Sequence, residues 1–294
     1  MEVTKAAIKL IATQMVLDDG INMNYIFALD EGFDELRVSF ELLGKVYEGR
    51  FIEKNSDGNY VYRFEEILPQ YMTDMITATV SVTSGGVETT ESYGGVSVKS
   101  YLAELIEKYS DNEKLVRLAS DILVYGSEAQ LYADYKTTSL AMGGLNLKPT
   151  TSYTRPQNVH KVSNGDKDFA FKSVGLNLKG NVSMYFTFTA KEIEELTLKI
   201  SINGRERVYG KDDFTPLGSG AYKVYFDGIL ASEFSDTVCA EFFKNGEPTS
   251  TFANYSVNSY VSESYLGSSN PAGSLIKALA NYGKSVLEYE DSTK

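Results

Sequence analysis

Ile21-Asn22-Met23-Asn24-Tyr25-Ile26-Phe27 places Ile21, Met23, Tyr25 and Phe27 on one parity. The spacing recurs 161 residues later in Val182-Ser183-Met184-Tyr185-Phe186-Thr187-Phe188. Alternation with period two is the mark of a strand that buries one face. The match extends outward from this pair. Upstream, Met15 and Leu17 align with Leu176 and Leu178 at the same offset. Downstream, Leu36, Val38, Phe40 and Leu42 align with Leu196, Leu198, Ile200 and Ile202 at offset 160, and Gly44 then falls on Gly204. Tyr60-Val61-Tyr62-Arg63-Phe64-Glu65 aligns with Tyr222-Lys223-Val224-Tyr225-Phe226-Asp227 at offset 162, and Asp74 with Asp236. Ser97-Val98-Lys99-Ser100-Tyr101 aligns with Ser256-Val257-Asn258-Ser259-Tyr260 at offset 159, and Tyr125-Gly126 with Tyr282-Gly283 at offset 157. The blocks keep their order throughout, which marks a tandem repeat.

The expected fold is mostly β with α: two tandem units, each an antiparallel β-sandwich followed by a two-helix hairpin. Turn signals separate the strand-like runs at Asp18-Asp19-Gly20, Ser56-Asp57-Gly58-Asn59, Ser84-Gly85-Gly86, Asn203-Gly204, Gly218-Ser219-Gly220 and Asn245-Gly246. About six or seven short strands per unit fit an immunoglobulin-like sandwich by count, although the Cys and Trp core of immunoglobulin domains is absent. The period then becomes helical. Val98, Tyr101, Leu102, Leu105, Ile106 and Tyr109 form one stripe. Ser110-Asp111-Asn112 breaks it and can cap a second helix. Leu115, Leu118, Ala119, Ile122, Tyr125, Ala129 and Tyr132 form the next stripe. In the second unit a shorter helix near 257–265, closed by Gly267-Ser268-Ser269-Asn270-Pro271, precedes a stripe of Leu275, Leu279, Tyr282, Val286 and Tyr289. Gly126 and Gly283 interrupt helices at a cost of about 1 kcal/mol relative to Ala, so something is expected to pack against the backbone there. The domain reading is 1–140, a linker over 141–167 carrying Lys148-Pro149 and Arg155-Pro156 with room for one strand, and 168–294.

Composition narrows the function. A net charge of −12 offers no basic surface for phosphates, so nucleic acid and anionic membrane are not expected partners. No apolar run is long enough to span a bilayer. One Cys and one His exclude an internal disulfide and a Cys/His metal site. Cys239 sits in the apolar run Val238-Cys239-Ala240 and is expected as a buried small hydrophobe; His160 is expected in exposed linker. No signal peptide precedes Val3, and the start reads as that of a trimmed piece of a longer, exported protein.

Catalysis finds little support. The carboxylate pairs Asp34/Glu35, Glu65/Glu66 and Glu194/Glu195 fall at turns or strand edges, where solvated charge is the expected role. Asp212-Asp213 and Asp166-Lys167-Asp168 lack the spacing of a calcium loop, and Asn55-Ser56-Asp57-Gly58-Asn59 reads as a hairpin turn. Gly85-Gly86 and Gly94-Gly95 read as strand-end turns rather than a phosphate cradle. Catalytic residues, cofactor and metal are therefore expected to be none. The surplus of 21 Tyr, with no Trp, is the feature that suggests recognition. Tyr60, Tyr62, Tyr222 and Tyr225 fall on strands, and Tyr93, Tyr153, Tyr255, Tyr260 and Tyr265 near loops.

Ser97-Val98-Lys99-Ser100-Tyr101-Leu102 followed by Ile122-Leu123-Val124-Tyr125-Gly126-Ser127-Glu128-Ala129-Gln130-Leu131-Tyr132 resembles a module of large secreted and cell-surface proteins of gut clostridia and ruminococci. That module reads S-V-x-x-Y, a spacer, then N-Y-G-A-A-A-Q-x-Y. Asn281-Tyr282-Gly283 keeps the N-Y-G core but departs from A-A-A-Q, and Val124 stands where the module has Asn. The resemblance implies an extracellular, secreted or surface-attached protein. It leads to an expected monomeric, non-catalytic binding protein for a host protein, immunoglobulin in the manner of bacterial superantigens being one such partner. A glycan-binding module using surface Tyr and a structural spacer between other surface domains are the alternatives. An exposed apolar patch would favour binding, a coplanar row of exposed Tyr a glycan, and a uniformly polar surface the spacer.

Overall fold

A computed structural model describes residues 7–18, 20–152, 154–178, 182–264 and 271–293. Tyr153, Tyr265 and the break at 267–270 lie outside the described residues. The chain divides into two compact units, Met1–Lys148 and Pro149–Lys294.

In the first unit, strands β1 (Ile8–Leu17), β2 (Ile21–Leu29), β6 (Tyr60–Ile67) and β5 (Arg50–Lys54) form one antiparallel sheet in the order β1-β2-β6-β5. Strands β4 (Lys45–Glu48), β3 (Glu35–Leu42), β7 (Ile76–Ser84) and β8 (Val87–Val96) form the other, in the order β4-β3-β7-β8. This is the immunoglobulin strand arrangement with one additional strand beside the third. The parity read from sequence sets the core: Met23, Tyr25, Phe27, Phe40, Ala78, Val80 and Val82 are fully buried. Aromatic rings replace the disulfide and Trp of an immunoglobulin core, with Tyr25 4.9 Å and Phe64 5.3 Å from Phe40. Gly94 and Gly95 are not a strand end. They form a bulge inside β8 opposite Thr77, since Ile76 pairs with Val96 and Ala78 with Tyr93.

Helix α1 (Val98–Lys108) opens with a capping box between Ser97 and Ser100. Tyr109, expected in its stripe, is the C-cap and is exposed. Helix α2 (Glu113–Tyr132) is capped by Asn112, whose side chain accepts from the Leu115 amide. Gly126 faces the turn after β6. A Cβ built there would lie 2.3 Å from the Met72 sulfur, so the glycine is the socket for a buried methionine. The Met72 carbonyl in turn accepts from the Lys99 amide in the first turn of α1, 2.8 Å away.

The second unit orders its strands in the same way and adds one more. The order β10 (Phe169–Asn177), β11 (Ser183–Ala190), β15 (Ala221–Phe226), β14 (Thr215–Gly218) forms one sheet. The other runs β13 (Arg205–Tyr209), β12 (Leu196–Ile202), β16 (Val238–Lys244), β17 (Glu247–Tyr255), β9 (Lys161–Asn164). Phe171, Phe186, Phe188 and Phe242 fill its centre. Helices α3 (Val257–Ser264) and α4 (Pro271–Thr293) come after the sheets. Gly283 is again a socket: a Cβ built there would lie 2.3 Å from the Phe234 ring, and the Phe234 carbonyl accepts from the Asn258 amide at 2.9 Å.

Two further expectations are adjusted. The stretch 141–167, expected as linker with room for one strand, has a strand at 161–164 and is hydrogen-bonded to helices at both ends. Ala141 is fully buried, and the amides of Ala141, Met142 and Lys148 donate to Gln130 Oε1, Ser127 Oγ and Ser120 Oγ on α2 at 2.8, 2.8 and 3.0 Å. Beyond the boundary, Arg155 Nε donates to the Ser262 carbonyl, the Val159 amide to Ser259 Oγ, and 161–164 pair with β17 as β9. Side-chain oxygens on the helices take the place of a sheet ladder, so no periodicity marks the segment. Cys239 is not a core residue. Strand parity buries Val238, Ala240 and Phe242 and turns Cys239 to the outer face, half-buried.

Gly126→Ala and Gly283→Ala are expected to destabilise the chain by about 1–3 kcal/mol through overpacking, against the gain of about 1 kcal/mol that alanine brings to an open helix site. Urea unfolding of each variant checks this, and Met72→Ala should rescue part of the Gly126→Ala loss.

Candidate functional site

The chain leaves one sheet for the other between β4 and β5. Gly49 makes the crossing possible: its amide donates to the Val38 carbonyl at 2.8 Å, and a Cβ there would meet the Phe40 ring and that carbonyl at 2.9 Å. The crossing leaves an open groove of about 800 Å³, lined among others by Ser39, Thr79, Ser81, Val46, Phe51 and Tyr62. Val46 is 65% and Phe51 52% exposed, and the Phe51 ring rests on Tyr62 at 5.4 Å. Arg50 pairs with Glu65 at 2.5 Å and Arg37 with Glu35 at 2.8 Å on its rim. At the tip of the preceding hairpin, Leu43 is 52% exposed and holds φ +55°, a left-handed conformation that costs an ordinary side chain about 1–2 kcal/mol.

The equivalent corner of the second unit differs. Asn203 (φ +48°) occupies the turn, a residue that tolerates this conformation. Its side-chain Nδ2 donates to Glu233 Oε1 at 3.0 Å and Asp236 Oδ2 at 2.6 Å. Glu233 also pairs with Arg205, and accepts from the Leu230 amide at 3.0 Å. Val208 and Leu217 remain exposed there.

The carboxylates weighed for chemistry are occupied otherwise. Asp34 accepts from the Gly85 amide, Glu194 pairs with Lys211, and Asp168 with Lys191. Asp213 accepts from the Gly210 amide. Asn55 Oδ1 accepts from Asp57 and Asn59, as a hairpin turn requires. Among the described residues no cluster of His, Cys, Asp or Glu is arranged to hold a metal, and no helix is long and apolar enough to cross a membrane. The tyrosines expected near loops lie in elements: Tyr93 within β8, Tyr255 at the end of β17, and Tyr260 in α3. Tyr185 lies across Gly175 and meets Tyr225 at 66°, with Lys223 Nζ 4.9 and 5.5 Å from the two rings. These rings do not form a coplanar row.

His160, expected in exposed linker, is exposed and outside the strands and helices, and its ring joins a polar knot. Glu263 on α3 accepts from Asn158 Nδ2 at 2.8 Å and Tyr255 Oη at 2.8 Å, and lies 2.9 Å from His160 Nδ1. The His160 ring stands edge-on to Tyr255 at 4.8 Å. Partial burial pushes the Glu263 carboxyl upward, but the hydrogen bonds from Asn158, Tyr255 and His160 outweigh it and hold the group below its ordinary value.

Sequence reasoning missed the groove because Val46 and Phe51 look like any other strand apolars. One readable signal existed: Leu43 stands before Gly44 where the matching turn has Asn203 before Gly204. No family model matches the chain, and no curated protein matches it. Similar solved structures include a DUF4785 family protein from Legionella pneumophila (8% identity, TM-score 0.20), over 79% of this chain and 53% of that one. A 1.5-MDa bacterial ice-binding adhesin matches at 11% identity and TM-score 0.21, over 84% and 64%. A marsupial T cell receptor matches at 8% identity and TM-score 0.22, over 86% and 99%. The chain thus spans less than two thirds of the first two. Likeness at these scores carries no argument, and the fold rests on the sheet orders above.

Because the folded Glu263 lies below its unfolded value of about 4.3, its contribution to stability is present above that pH and is lost as pH falls through the folded value. Melting curves of the parent and Glu263→Gln should differ at neutral pH and converge in acid. Burial raises the Cys239 thiol, so near neutral pH its reaction with a disulfide reagent should be slower than that of a free thiol and should accelerate on unfolding.

Proposed function

We propose that the chain is a non-catalytic binding protein of the secreted or surface-displayed bacterial class, built from two tandem copies of one module. Its first unit carries the contact surface along Leu43, Val46, Phe51 and Tyr62. The supporting observation is Leu43. A leucine held left-handed and half-exposed is unfavourable for both folding and solubility, and the other unit avoids it with Asn203. Strain retained at the tip of the hairpin that carries exposed Val46 is a reason to look for function there. Phe51 on Tyr62, flanked by Arg37 and Arg50, has the aromatic and arginine character of an interface centre. The partner class is a host protein, with immunoglobulin the first to test.

The test uses the full chain and interferometry against immunoglobulins, with mucin as the glycan arm. Phe51→Ala and Val46→Asp should each weaken immunoglobulin binding at least tenfold, which is about 1.4 kcal/mol. Leu43→Asn should raise stability by about 1 kcal/mol while weakening binding. Retention on mucin alone would move the reading to a glycan. Binding untouched by all three substitutions would remove the site, and silence toward every probe would leave a spacer.

A further inference from the structure

The chain contains three Asn-Gly steps, Asn164-Gly165, Asn203-Gly204 and Asn245-Gly246, all in the second unit. Such a step is chemically weak. The glycine nitrogen can attack the asparagine side-chain carbonyl because no adjoining Cβ hinders it. The three steps differ in how far the fold permits that attack.

Asn164 is clamped. Its Oδ1 accepts from the Phe171 amide at 2.8 Å and its Nδ2 donates to the Phe171 carbonyl at 3.2 Å, so the side chain works as a short piece of strand along the β10 edge. Gly165 is also crowded, with Ser250 Oγ 2.0 Å from where a Cβ would stand. Asn203 sits in an open turn, with nothing within 4 Å of the Gly204 Cβ position, but its amide is held between the carboxylates of Glu233 and Asp236.

Asn245 has neither restraint. It forms the β16–β17 turn with Gly246, at φ +52° and +81°. Nothing lies within 4 Å of the Gly246 Cβ position. The Asn245 backbone amide donates to the Glu195 carbonyl at 3.0 Å, and its side chain makes no hydrogen bond among the described residues.

We propose that Asn245 is a site of spontaneous covalent modification, and that Asn164 and Asn203 are protected by their partners. The Gly246 nitrogen bonds to Cγ of Asn245 and gives up its proton. The Cγ–Nδ2 bond breaks and ammonia leaves with that proton, closing a five-membered imide. Water then opens the ring at either carbonyl, leaving aspartate or a β-linked isoaspartate. Either product adds a negative charge next to Lys244, whose Nζ is 3.8 Å from Asp168. The β-linked product also adds a backbone carbon to a two-residue turn whose flanks Lys244 and Glu247 are paired.

The full chain is incubated in mildly alkaline buffer at physiological temperature and mapped by peptide mass spectrometry with isoaspartate detection. A parallel sample is held in denaturant, where all three steps lose their surroundings. Asn245 should convert several-fold faster than Asn203 and Asn164 in the folded chain, and the three rates should converge in denaturant. Asp236→Ala should raise the Asn203 rate in the folded chain. Equal folded rates, a faster Asn203, or an Asn245 that reacts only when unfolded would overturn the proposal.

Discussion

The side chain and carbonyl of a single turn residue tie helices to sandwich in each unit. Met72 places its sulfur in the gap left by Gly126 while its carbonyl receives the first-turn amide of α1. Phe234 does both with Gly283 and α3. A short two-helix hairpin has too little apolar surface to fold alone, since most helical stability comes from tertiary packing. Burying one such side chain contributes about 1.5–3 kcal/mol, and the carbonyl fixes where α1 or α3 begins. The glycines therefore trade helix propensity for close approach.

Each sandwich must also close the gap between the first strand of one sheet and the last strand of the other. The two units do so differently. In the first, Tyr93 Oη donates to the Ile8 carbonyl at 2.8 Å. In the second, Ala253 stands at the matching position, and β9 lies beside it with Asn164 bonded to both backbone groups of Phe171. Exposed edges elsewhere are short, charged or bulged. β4 and β13 carry Lys45, Glu48, Arg205, Glu206 and Arg207, and β14 contains Pro216. Glu91 pairs with core Val80 at the β8 edge. These are the usual defences against edge-to-edge pairing.

What was legible in sequence was whatever repeats with a period. Leu36 through Leu42 and Leu196 through Ile202 gave their strands and buried faces directly, and the Tyr125-Gly126 and Tyr282-Gly283 steps pointed to a close contact. Their partners were hidden, because Met72 and Phe234 lie in single turns without periodicity. A strand within 141–167 was foreseen, but its place was not legible, because Lys161-Val162-Ser163-Asn164 has one apolar residue. Cys239 was misplaced because its run is apolar on both parities, and only the pairing with outward Asn254 and Ser201 fixes its face. In α2 the apolar stripe was visible but the second buried face was not, since Ser120, Ser127 and Gln130 are polar groups that meet a backbone.

That second face has a mechanical consequence. The segment after α2 runs back along the helix, so its bonds succeed one another in chain order: Gln130 with Ala141, Ser127 with Met142, Ser120 with Lys148. A pull applied from the Pro149 side loads Lys148–Ser120 first, and the others only after it yields. Weak links opened singly release length, about 3.3–3.6 Å per freed residue, before any strand is strained. The exit of the first unit is thus held by single hydrogen bonds in series, where a sheet edge would share the same load among many in parallel.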